Sequence, residues 1–190
     1  MGSFKNLFMA VSAVALFVSC KDTKNNEDQA EVAEDINEDK FGKKTEKDAD
    51  FLVDATTISL EEISLGELAL TKATMEDTKH LADMMILDHT KASKEVAAMA
   101  QKKGIVVPTQ LTDESMKDRE GLMKKEGIEF DKEYAKMMVK GHKDAIDKFE
   151  KAAKDSDDPD ITSWANATLV TLKSHLTHAE QCEEKLKDAK

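Results

Sequence analysis

"MMILDHT" (residues 84–90) and "MMVKGHK" (137–143) each set a pair of methionines ahead of a histidine, so that Met85 and His89 stand in the same relation as Met138 and His142. Residues four apart share one face of a helix, so both stretches read as helix. Extending them in either direction keeps the period. One face runs Leu81, Met85, His89, Ala92, Val96, Met99, and the other Tyr134, Met138, His142, Ala145, Phe149, Ala152. A third stripe, Trp164, Thr168, Leu172, His175, Ala179, Cys182, Leu186, has a histidine near its middle. A fourth, Phe51, Ala55, Ile58, Glu62, Leu65, Ala69, has a glutamate there. Apolar residues that recur at three and four rather than two predict amphipathic helices. Two prolines and an abundance of Ala, Leu, Met, Lys and Glu agree with that.

The ends of these helices have chemical signals. Thr74 with Asp77 resembles a capping box, Gly104 suits a left-handed stop, and Asp158 before Pro159 reads as an N-cap with proline at the first helical position. Gly127 is expected to close a short extra helix that begins near Thr112. The prediction is four main helices at 51–73, 75–103, 130–154 and 159–187, each roughly 35–45 Å long at 1.5 Å per residue. Matched lengths predict an all-α fold, a ferritin-like four-helix bundle with a short extra helix in the middle connection. Short links make the first pair and the last pair antiparallel. The middle connection, about 105 to 129, is long enough to run back along the bundle.

Glu62, His89, His142 and His175 each lie near the midpoint of a predicted helix and on its apolar stripe. A midpoint residue sits at mid-height whichever way its helix runs, so the four are expected in one buried polar layer. Buried polar groups left unpaired cost about 1–3 kcal/mol each, so they must satisfy one another or hold a ligand. Two readings stay open. One is a hydrogen-bonded Glu–His cluster packed with methionine. The other is a site for one transition-metal ion on Glu62, His89, His142 and His175, with the thioethers of Met85 and Met138 nearby to lean it towards Cu(I). A carboxylate-rich di-iron centre is not expected, because the residues three before the histidines are Ile86, Val139 and Leu172 rather than glutamates. His175, His178 and Cys182 share a face of the last helix and form a second, weaker candidate cluster. No glycine-rich phosphate loop and no Gly-x-Ser-x-Gly elbow is found, and no catalytic set is recognisable.

The N-terminal residues read as a processing signal. Lys5 precedes an apolar run from Leu7 to Val18, too short for a bilayer span of about 20 residues and normal for a signal-peptide core. Phe17-Val18-Ser19-Cys20 resembles a bacterial lipobox, which predicts a leader over 1–19 and lipidation of Cys20. Cys182 is then the remaining cysteine, so no intramolecular disulfide is expected. Residues 20–49 are rich in Asp, Glu, Lys and Asn and are expected to form a disordered, solvated tether, with the bundle domain over 50–188. A net charge of −11 argues against nucleic acid as a partner and leaves the lipid as the expected link to a membrane. The expected place is the envelope of a Gram-negative bacterium, as a periplasmic or surface-exposed outer-membrane lipoprotein.

"EISLGELAL" (62–70), "DHTKASKEV" (88–96) with "KKG" (102–104), "FDKEY" (130–134) with "HKDAIDKFEKAAKD" (142–155), and "LKSHLTHA" (172–179) together resemble the bacterial exported family called domain of unknown function 4142. The resemblance runs from about 50 to 187 in order and spacing. It implies a ferritin-like helical bundle, often found behind signal peptides, with no established activity. On that pattern Glu62, His89, His142 and His175 match the family's polar core positions. The combined expectation is a lipid-anchored, non-catalytic binding or envelope-maintenance module, with a metal-binding or redox protein (Cu, Zn or Fe) as the alternative.

Overall fold

The computed structural model describes residues 28–41 and 43–189, so the expected leader, Cys20 and the first residues of the expected tether lie outside it. Six helices and no strand occur among the described residues: α1 (Gln29–Phe41), α2 (Lys43–Lys72), α3 (Glu76–Lys103), α4 (Asp113–Met123), α5 (Gly127–Asp155) and α6 (Pro159–Leu186). The fold is all-α, and α2, α3, α5 and α6 are the four long helices, about 42–45 Å each at 1.5 Å per residue.

Packing contacts give the helix directions. Phe51 near the start of α2 meets Phe149 near the end of α5 at 4.9 Å between ring centroids, and Trp164 near the start of α6 at 5.9 Å. At the opposite end, the α2–α3 turn meets the beginning of α5, and Asp77 at the start of α3 pairs with Lys185 at the end of α6 at 2.7 Å. Thus α2 and α6 run one way, α3 and α5 the other, and neighbours among these four long helices are antiparallel. The connection from α3 to α5 travels the length of the bundle and carries α4 on its way. This resolves the direction that the sequence leaves open.

The core is split in two. One apolar cluster, built around Leu65, Leu81, Phe130, Tyr134 and Leu186, fills the end near α4. The other, built around Leu52, Val96, Phe149, Ile161 and Leu172, fills the end near α1. Glu62, His89, His142 and His175 lie between them in sequence on all four long helices, and all are buried.

Residues 29–41 and 43–49 depart from the tether expectation: they form α1 and the first turns of α2. Composition rich in Ala, Glu, Asp and Lys marks a solvent-facing helix as well as a solvated coil. Along α1 the charged side chains stay outside while Ala33 and Asn37 are buried, and at the start of α2 Asp48 and Ala49 are buried. The Asn37 amide takes the place of a backbone partner, donating from Nδ2 to the Val106 carbonyl and accepting from the Val106 amide, each at 2.8 Å. It thereby clamps α1 to the long connection.

The capping expectations divide similarly. Gly104 ends α3 at φ 68°, and Asp158 caps α6 through the amides of Asp160 and Ile161, with Pro159 first in the helix. Thr112 caps α4. The Thr74–Asp77 capping box does not form: Met75 is the N-cap of α3 and has no side-chain cap. Gly127 does not close α4 but opens α5 at φ 55°. The α2–α3 turn is held instead by Asp131 of α5. Its carboxylate accepts from the Thr74 amide (3.1 Å), the Thr74 hydroxyl (2.6 Å) and the Met75 amide (3.1 Å). A cap supplied from another helix leaves no local sequence signal. Replacing Asp131 by Ala strands these donors, and the expected loss is about 2–4 kcal/mol of unfolding free energy in urea titrations.

Candidate metal centre

The midpoints of α3, α5 and α6 bring three imidazoles together. Ring centroids are 5.6 Å apart for His89 and His142, 5.5 Å for His89 and His175, and 5.3 Å for His142 and His175. The three residues are between 1% and 4% exposed. One nitrogen from each can be chosen so that all three lie within 4.8 Å of one another.

Two of the rings are oriented from behind. His142 Nδ1 lies 2.8 Å from the carbonyl of Met138 one turn earlier, and a carbonyl only accepts, so Nδ1 carries the proton and Nε2 presents a lone pair in the neutral ring. His175 Nε2 lies 2.9 Å from Asp88 Oδ2, so that nitrogen donates to the carboxylate. The remaining atoms, His142 Nε2 and His175 Nδ1, face each other at 3.2 Å. With both outward nitrogens protonated and both rings neutral, two lone pairs meet head on. Neither nitrogen of His89 has a hydrogen-bond partner in the protein.

Glu62 of α2 stands beside this group, its Oε1 3.6 Å from His142 Nδ1 and its Oε2 without a partner. Burial, reinforced by the neighbouring Glu61, holds its carboxyl well above the usual range and favours the protonated acid. Burial also lowers the histidines. His89 falls well below its ordinary value, helped by His142 and His175. His142 falls to about 4, through burial and then His175, against the Met138 hydrogen bond. His175 is lowered because burial outweighs its bond to Asp88. Burial, with Glu62 next to it, raises Tyr134 well above the ordinary phenol range, and its hydroxyl also lacks a partner. Burial thus disfavours the charged form of each of these groups.

The four residues singled out from sequence are therefore neighbours, with the three histidines forming the compact donor set and Glu62 adjoining His142. Met85 and Met138 belong to the apolar cluster on the α4 side of the layer, and the Met138 group that touches His142 is its carbonyl. His178 is exposed and bonds the Ser174 carbonyl, while Cys182 lies in the apolar cluster near Thr78. Among the described residues those two do not join His175 in a metal-capable group. Asp88, next to His89 in sequence, is not among the residues singled out from the sequence; it faces away from the centre, and for that reason it meets the outer nitrogen of His175 on α6.

The lowered histidines set a sign for the acid response of the metal-free protein. On acidification the unfolded chain takes up protons near 6.5 while the native histidines resist, so stability falls as pH drops from about 6.5 towards 4. Glu62 has the opposite sign: its contribution is present below the unfolded carboxyl value and is lost as pH rises through its native one. Urea titrations at pH 7 and pH 5 are expected to show the loss, with about 2 kcal/mol from His142 alone. Glu62→Gln removes the opposing contribution and steepens the loss.

Comparison with known proteins agrees with the helical architecture. A crystal structure of a DUF305 fragment from Deinococcus radiodurans superposes with a TM-score of 0.65, covering 73% of this chain and 96% of that one at 14% identity. That likeness concerns the fold alone. No curated protein matches the chain. The family described as Domain of unknown function (DUF4142) matches residues 25–182, including α1 and the whole histidine layer. With a match of that extent, the chain belongs to the DUF4142 family.

Proposed function

We propose that the protein binds one transition-metal ion at the centre of its bundle through His89, His142 and His175. The observation that carries this is the pair of opposed lone pairs on His142 Nε2 and His175 Nδ1, 3.2 Å apart, with each ring's other nitrogen committed to an acceptor. A shared proton would relieve the clash, but burial pushes both rings away from protonation. A cation relieves it without a proton. Two ligands on a tetrahedral ion at about 2.0–2.1 Å stand about 3.3 Å apart, close to the spacing here. The Met138 carbonyl and Asp88 supply the outer hydrogen bonds that fix the tautomer and aim of a ligating imidazole.

Three neutral imidazoles suit zinc, copper, nickel or iron, with Glu62 placed to shift in as a further, oxygen ligand. The role proposed is binding rather than catalysis, because the ligands are enclosed by four helices. We place this module at the envelope of a Gram-negative bacterium, anchored by lipid on Cys20. The lipobox-like Phe17-Val18-Ser19-Cys20 after an apolar run supports that location.

Two experiments test these statements. Protein stripped by a chelator and titrated with Co(II) and Zn(II) is expected to take up one equivalent. His89→Leu is expected to lower affinity at least about 100-fold while raising metal-free stability by about 1–2 kcal/mol, since it removes two unpartnered buried nitrogens. Failure of every transition metal to bind tighter than about micromolar, or unchanged binding in His89→Ala and His142→Ala, would favour a purely structural polar cluster. For the anchor, Cys20→Ser is expected to move the protein from the membrane to the soluble fraction, and continued membrane association would count against lipidation.

A further inference from the structure

We infer that the ion enters the layer through the groove between α2, α4 and α5, with Glu62 as the relay that receives it and passes it to the histidines. This rests on the metal-binding reading above. The groove has a volume of about 610 Å³, and Glu62 forms part of its lining although that residue is only 5% exposed. Glu62 therefore touches both spaces: the groove on one side and His142 on the other, 3.6 Å away.

Three features fit the groove for a cation. Six acidic side chains besides Glu62 face five lysines along its walls, a balance that leans towards positive ions. Glu61 stands next to Glu62 and is held by the Ser115 hydroxyl of α4 at 2.6 Å, which fixes one carboxylate at the approach. Gly141 on α5 leaves the space that Glu62 occupies: a Cβ there would come within 3.1 Å of Glu62 Oε1. Any larger side chain crowds the carboxyl that bridges groove and layer.

A second groove, of about 440 Å³ between α3 and α6, also reaches the layer, at Asp88. Its carboxylate is already engaged with His175 Nε2, so an ion arriving there must first break the bond that orients a ligand. Glu62 Oε2 has no such bond to break, and an ion that binds the carboxyl displaces only the acid's own proton, which leaves to the groove. The free acceptor makes the α2–α4–α5 side the easier path, and the engaged one makes Asp88 a stopper.

Stopped-flow uptake of Co(II), followed by its visible absorption, together with equilibrium titration of the same proteins, tests the route. Gly141→Val is expected to slow loading at least tenfold, and Glu61→Gln several-fold, with stoichiometry unchanged and affinity lowered by less than the rate. Ala167→Leu, which fills the α3–α6 groove, is expected to load at the wild-type rate. Wild-type loading in both groove variants, or slowing confined to Ala167→Leu, overturns the route while leaving the site standing. Weakened equilibrium binding with normal loading in Gly141→Val also overturns it. If circular dichroism shows that Gly141→Val does not fold, the Glu61→Gln rate decides alone. Absence of Co(II) binding in the wild-type protein refutes the site itself and the route with it.

Discussion

Three imidazoles enclosed at mid-height, two of them with nitrogens 3.2 Å apart, are the constraint on which this structure turns. Such a group disfavours folding when left bare, because its lone pairs have been taken from water and given no donor. The protein places this disadvantage where it is best tolerated. Each half of the core is a contiguous apolar cluster drawing on all four long helices, so the layer is bounded by well-packed material on both sides. Burial of those clusters supplies the stability that the layer withdraws.

Holding the rings in place requires the four helices to keep their register, and the structure fixes that register mainly at the ends. Asp131 ties α5 to the α2–α3 turn, while the aromatic group of Phe51, Phe149 and Trp164 locks α2, α5 and α6 together at the other end. Asn37 secures the long connection that allows α3 and α5 to run the same way. A one-turn slip of any helix would move its midpoint residue by about 5.4 Å, enough to dissolve the donor set. The distant contacts are therefore part of the site's geometry.

Much of this was legible in the sequence, for a physical reason. The helical period of 3.6 and the position of His89, His142, His175 and Glu62 halfway along their stripes made both the bundle and the layer readable without knowing helix direction. What escaped were features that depend on a partner distant in sequence. Asp131 sits in α5 but caps a turn 57 residues earlier, so the local Thr74–Asp77 pattern suggested the wrong cap. Asp88 was missed because its partner is on α6. Residues 29–41 looked like tether because a helix that rests one narrow stripe on a bundle has the composition of a solvated chain. Met85 and Met138 shared the histidines' face and invited a thioether role, yet side chains on a helix lean towards its N-terminus, which carries them into the apolar cluster.

The division between clusters and layer also bears on what a bound ion would do to the whole molecule. A ligand that binds the native state and not the unfolded one adds stability in proportion to the logarithm of its concentration over its dissociation constant. In this bundle the added stability would enter at the one level where the apolar packing is interrupted, joining α3, α5 and α6 through their midpoints. Substitutions in either apolar cluster should then shift metal-free and metal-bound stability together, whereas substitutions in the layer should move them in opposite directions. Those opposite signs separate a ligand layer from a structural polar cluster, because in the latter the polar partners stabilise one another and their removal lowers stability in every state. His89 is the residue on which the two descriptions differ most, since it offers two nitrogens to the centre and receives no hydrogen bond in return.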